Sequence, residues 1–123
     1  MIKYHTSSGE RVSEATIKSR LSAAYKNHYI GEPLGFCEGC GEPATCTAHI
    51  VPKARCKQLH KTEMIWDPYN WFRSCYQCNG IAENPGSDEI RNLMNFFRIL
   101  EVTRVIDHER YQKMIWNVDI AIE

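Results

Sequence analysis

No stretch of this chain approaches the roughly 18 consecutive apolar residues that mark a membrane-spanning helix. The polar opening Met1-Ile2-Lys3-Tyr4-His5-Thr6-Ser7-Ser8 also lacks the apolar centre of an export signal. Both absences lead us to expect a cytoplasmic protein without a membrane segment. Net charge is absent as well: 15 basic and 15 acidic residues cancel, which removes the global positive field typical of many nucleic-acid-binding domains. There is no internal repeat and no low-complexity tract. At 123 residues and 43% hydrophobic content, the chain is expected to be one small domain with a modest core, which a structural metal would stabilise considerably.

One local absence is informative. From Pro43 to Thr62 there is no Asp or Glu, while Lys53, Arg55, Lys57 and Lys61 lie there with His49 and His60. Gathered positive charge of this kind holds phosphates even in a neutral protein, although a solvated loop with a chance run of charge reads the same way.

Six cysteines are present. In an exported protein they would suggest three disulfides, but the lack of an export signal and the spacing point to a reducing compartment and metal ligation. Two Cys-x-x-C pairs, Cys37-Glu38-Gly39-Cys40 and Cys75-Tyr76-Gln77-Cys78, are each followed by turn-prone residues, Gly41 and then Asn79-Gly80. A short spacer lets both sulfurs of a pair turn toward one point, so the four together suit tetrahedral Zn²⁺. Cys46 is expected to be a core residue and Cys56 an ordinary thiol.

The remaining pattern is that of an α+β domain. Ser13 reads as the N-cap of a first helix, with Val12 and Ile17 as a hydrophobic staple and Ile17, Leu21, Ala24, Tyr25 and His28 at helical spacing up to Gly31. The preceding arm is expected to be irregular or briefly extended. Residues 44–51 alternate as a strand, with Cys46, Ala48 and Ile50 on one face and Thr45, Thr47, His49 and Val51 on the other. Pro52 ends it, and a long loop follows to Pro68. Trp71 to Cys75 reads as a second strand and Tyr76 to Glu83 as a short helix weakened by Gly80. After Asn84-Pro85-Gly86, Ser87 caps a helix with Ile90, Leu93, Met94, Phe97 and Leu100 on its buried stripe. A last helix is expected from Asp107 to about Asn117, stapled by Ile106 and Tyr111.

Between the cysteine pairs lie Ala48-His49-Ile50-Val51-Pro52-Lys53 and Trp66-Asp67-Pro68-Tyr69-Asn70-Trp71, and Asn79 directly follows Cys78. Together these residues resemble the zinc-containing HNH (His-Me finger, ββα-metal) endonucleases. Their pattern is a Cys-x-x-C, a His before Ile-x-Pro, an Asp-x-x-Asn, and a Cys-x-x-C followed by His or Asn. The resemblance runs from Phe36 to Glu83 and implies a treble-clef-like ββα-metal core over residues 36–85, an N-terminal arm and helix over 1–35, and C-terminal helices over 86–123. It also implies a DNA endonuclease: His49 as general base, Asn70 tying the loop that keeps the base in register, and Asn79 ligating a catalytic Mg²⁺ or Mn²⁺. In the family the long loop runs along nucleic acid, so Lys53, Arg55, Lys57 and Lys61 become candidate phosphate contacts, and Arg73, on the second strand, is a further candidate clamp because guanidinium can bridge two phosphate oxygens. Oxygen ligation by Asn79 suits Mg²⁺, which keeps waters and substrate oxygens in its shell.

The sequence departs from the family at Ala48, where many members carry a second, acidic or histidine ligand. Either the site works with weak metal affinity, or the protein is a catalytically silent zinc module that binds nucleic acid or a protein; retention of His49, Asn70 and Asn79 favours the first. The resemblance further implies a bacterial or phage setting, DNA as partner, association with other DNA-processing proteins and an open question of homodimerisation.

Overall fold

The computed structural model describes residues 3–28, 35–84 and 89–122. Two three-residue strands, β1 (Lys3–His5) and β2 (Arg11–Ser13), pair antiparallel with Tyr4 opposite Val12. The sequence suggested an irregular arm here. The hairpin forms because Gly9 takes φ +91° and the Thr6 hydroxyl accepts from the Glu10 amide at 3.1 Å, closing the turn.

Helix α1 (Glu14–His28) follows directly. Ser13 Oγ accepts from the Thr16 amide at 3.2 Å, and Val12 and Ile17 are both buried, so cap and staple are formed as the sequence suggests. The proposed stop at Gly31 lies outside the described residues, as does the Ser87 cap.

The central element is a second antiparallel pair, β3 (Cys46–His49) with β4 (Trp71–Ser74), in which Ala48 faces Phe72 and His49 faces Trp71. Both strands are shorter than their sequence pattern. Cys75 leaves β4 to become the N-cap of α3 (Tyr76–Glu83). Beyond β3 the chain still pairs through the Thr45 amide to Ser74 O at 2.8 Å and the Ile50 amide to Asn70 O at 2.8 Å.

Between the strands the expected loop is structured. Pro52, with φ −56°, opens a helix, α2 (Lys53–Gln58), whose Cys56 is buried; two 3-10 turns, Thr62–Ile65 and Pro68–Asn70, lead into β4. Cys56, Met64 and Ile65 bury together, which is tertiary packing that propensity alone does not reveal.

Helices α4 (Ile90–Val102) and α5 (His108–Ile122) cover the other side. Ile90, Leu93, Phe97 and Leu100 form the buried stripe of α4, and Phe97 meets Phe72 edge to face with centroids 5.5 Å apart. Helix α5 runs past the expected end at Asn117 because Val118 and Ala121 continue its buried face. The described residues thus form a small α+β fold of five α-helices and two two-stranded antiparallel sheets. No described helix is long and apolar enough to cross a membrane.

One ion pair fastens α5 to the first Cys-x-x-C turn. Arg110 donates to both carboxylate oxygens of Glu38, at 2.6 and 2.9 Å, and Glu38 Oε1 also accepts from the Arg73 amide at 2.8 Å. Glu38 is buried, so deleting its partner leaves a charge desolvated. Arg110→Met is expected to lower unfolding free energy by about 2 kcal/mol in denaturant titration. Glu109→Gln, which removes the exposed pair with Lys113, is expected to leave the midpoint nearly unchanged. Equal effects would contradict this ranking.

Candidate functional site

The first Cys-x-x-C turn is held by backbone bonds between the Gly41 amide and Cys37 O at 2.8 Å and between the Glu38 amide and Arg73 O at 2.7 Å. Gly41 has φ +88°, which a side chain would disfavour. Gly39 has no room for one, since a Cβ there would lie 2.6 Å from Leu93 Cδ2. The Gly39 amide points at Cys37 Sγ (3.2 Å) and the Cys78 amide at Cys75 Sγ (3.5 Å), so each turn directs an N–H onto its own sulfur.

The sulfurs of Cys37, Cys40, Cys75 and Cys78 all lie within 4.8 Å of one another. Cys40 and Cys75 are 3.6 Å apart, far beyond a disulfide bond of about 2.05 Å and close to the roughly 3.8 Å edge of a tetrahedron with 2.3 Å Zn–S bonds. All six cysteines are unbridged. Burial opposes ionisation of Cys75, but the Cys78 amide and the neighbouring thiols outweigh it and bring its pKa down to about 7. Burial, with the adjoining thiols, pushes Cys78 up, and burial raises Cys40. Cys75 ionises readily while Cys40 and Cys78 resist, a mismatch that a bound divalent cation would remove. The four residues fit a metal such as zinc. Cys46 is half-buried against Ser74 O and Cys56 is buried against Val51 O; neither belongs to this cluster.

On β3, alternation sends Ala48 into the core, where it is 1% exposed, and Thr47 and His49 to the other face. His49 Nε2 lies 2.8 Å from Ile65 O. A carbonyl only accepts, so Nε2 carries the proton and Nδ1 is the ring's remaining acceptor. The same carbonyl accepts from Trp71 Nε1 at 3.0 Å.

Asn70 is fully buried and does not line the cleft described next. Its Oδ1 accepts from the Val51 amide at 2.8 Å, and its Nδ2 donates to Val51 O at 3.1 Å and Met64 O at 3.0 Å. It therefore ties the exit of β3 to the turn whose next carbonyl, that of Ile65, orients His49.

A cleft of about 390 Å³ is walled by Tyr25, Thr47, His49, Pro52, Lys53, Asn79 and Glu83. Strand β3 supplies Thr47 and His49, α2 supplies Lys53, α1 supplies Tyr25, and α3 supplies Asn79 and Glu83 one turn apart. Of the residues singled out from sequence, His49, Asn79 and Lys53 meet here. Arg55, Lys57, Lys61 and Arg73 are not in the wall. Lys57 is engaged elsewhere: its ammonium bonds Glu14 at 2.9 Å and sits over the Tyr4 ring at 4.7 Å. Arg73 is half-buried on β4 beside the first knuckle.

Four wall residues, Tyr25, Thr47, Pro52 and Glu83, were not among the site residues singled out from sequence. Thr47 shares a strand face with His49, and Glu83 stands four residues after Asn79, so two periodicities already in hand would have found them. Tyr25 required the tertiary packing of α1 on Trp71, where ring centroids are 4.5 Å apart.

Burial pushes the His49 pKa down to about 4; the Ile65 carbonyl opposes the shift and Lys53 adds to it. Since folding depresses this pKa below about 6.5, its contribution to stability is complete above that pH and is lost as pH falls toward 4. In a ¹H–¹⁵N titration of the protein without added Mg²⁺ or Mn²⁺, His49 is expected to remain neutral as the Nε2–H tautomer down to about pH 5 and to protonate near pH 4. A midpoint near 6.5 would contradict the buried, carbonyl-held imidazole.

Comparison with models of protein families, with curated proteins and with solved structures finds no match for this chain.

Proposed function

We propose that the protein is a metal-dependent DNA endonuclease of the HNH (ββα-metal) type, with β3, β4 and α3 as its catalytic unit. One observation carries the reading: an imidazole with a fixed tautomer, its Nδ1 unprotonated, shares a cleft with Asn79, the residue after a cysteine of the four-sulfur cluster. Phosphodiester hydrolysis needs a base for water, neutralisation of charge on phosphorus and relief of charge on the leaving oxygen.

In this reading His49 Nδ1 takes a proton from a water as its oxygen attacks phosphorus, and the bond to the 3′ oxygen breaks, leaving a 5′-phosphate. Its low pKa keeps the base deprotonated at neutral pH. Asn79 offers an amide oxygen, of the hard type that Mg²⁺ or Mn²⁺ takes. When bound, such an ion would supply Lewis-acid stabilisation to the phosphoryl and departing oxygens. Lys53 holds a positive charge in the cleft wall for a phosphate. Asn70 acts as a positioning residue, through the Met64 and Ile65 carbonyls.

A second reading, a silent zinc module that only binds nucleic acid, is favoured by Ala48, which offers no ligand. Nicking of supercoiled plasmid with Mg²⁺ or Mn²⁺ separates the two. Wild type is expected to nick, His49→Ala to lose roughly 10²-fold or more, and Asn70→Ala to lose activity together with stability. Retention of plasmid with no cleavage by wild type, or equal cleavage by His49→Ala, would overturn the nuclease reading.

A further inference from the structure

We infer that Glu83 supplies the carboxylate ligand that position 48 cannot, so that a divalent ion is held by Asn79 and Glu83 on successive turns of α3. The inference rests on the nuclease reading for its purpose, and on the cleft geometry for its content.

Position 48 is closed to a ligand by the fold itself. Ala48 is 1% exposed, opposite the fully buried Phe72 on the core side of β3. A carboxylate there would be buried among apolar groups, at a cost of several kcal/mol. The negative charge a weakly coordinating amide needs as company must come from another element, and α3 provides it. Residues four apart on a helix stand about 5–6 Å apart at Cβ, a spacing from which two side chains can reach one ion, as paired ligands on helices do. Asn79 and Glu83 have that spacing and line one cleft with His49.

Two further observations separate this from a structural role. The N-cap position of α3 is filled by Cys75, whose sulfur accepts from the Cys78 amide, so Asn79 is not the helix cap. Among the described residues, neither the Asn79 amide nor the Glu83 carboxylate has a hydrogen-bond or ion-pair partner, although Lys53 lines the same cleft. The resulting donor set is oxygen only, an amide and a carboxylate, which selects Mg²⁺ or Mn²⁺ over thiolate-preferring ions and leaves coordination positions for water and phosphate oxygens. The four-cysteine cluster is a separate, sulfur-only site.

The test is Mn²⁺ binding, followed by electron paramagnetic resonance on the zinc-loaded full chain, alongside plasmid nicking on the same samples. Wild type and His49→Ala are expected to bind Mn²⁺ alike. Glu83→Gln is expected to weaken binding roughly tenfold or more, with Glu83→Asp retaining part of it; Glu83 is exposed, so neither change threatens folding. Unchanged Mn²⁺ affinity in Glu83→Gln, or no binding by wild type, overturns the assignment even if wild type nicks plasmid. Glutamate-dependent Mn²⁺ binding without nicking upholds the assignment and overturns the nuclease reading instead.

Discussion

Convergence of four sulfurs from two distant turns is the constraint on which the rest of this small fold depends. Among the described residues, the Cys37–Cys40 turn bonds β4 through Glu38 and Arg73, and at Gly39 it meets Leu93 of α4 and Cys78 of α3. A divalent ion shared by four thiolates would fix the direction in which α3 leaves β4. Because Asn79 follows Cys78 immediately and Glu83 lies one turn further, that direction sets where both oxygens stand relative to β3. Structural metal and cleft geometry are therefore one problem, which explains how a domain of 123 residues can hold a defined site with so small a core.

A second, metal-free linkage runs through buried polar groups. Asn70 binds both backbone groups of Val51 and the carbonyl of Met64, and the neighbouring Ile65 carbonyl holds His49 Nε2 while also accepting from Trp71. Each member is satisfied, so the network rigidifies the loop instead of adding a desolvation cost. The imidazole consequently sits neutral, with one tautomer, in the cleft it shares with α3.

Much of this was legible in the amino-acid sequence because the relevant physics is local. The Ser13 cap and the Val12–Ile17 staple rest on contacts within a few residues, the α4 stripe shows in its helical periodicity, and the structure has all three. The four-cysteine cluster was readable because Cys-x-x-C spacing constrains sulfur direction whatever the fold. Asn70 is likewise found tying the loop before β4. Helix α2 was not readable: Lys53-Ala54-Arg55-Cys56-Lys57-Gln58 presents one buried side chain, and it becomes helical by packing on the Thr62–Ile65 turn. Lys57 was grouped with phosphate contacts because sequence cannot show Glu14 and Tyr4 reaching it from the other end of the chain. The α5 end belongs to the same class, since Val118 and Ala121 extend the helix by burying against tertiary partners, whereas the β1–β2 hairpin rests on its own turn from Thr6 to Glu10. Strand alternation already put Ala48 on the face of Cys46 and Ile50, expected in the core, and the structure buries it there.

X-ray absorption at the zinc edge of the purified protein probes the founding constraint directly. One zinc per chain is expected, in a shell of four sulfurs at about 2.3 Å. A zinc-free protein with oxidised cysteine pairs, or a shell containing nitrogen or oxygen in place of a sulfur, would contradict it.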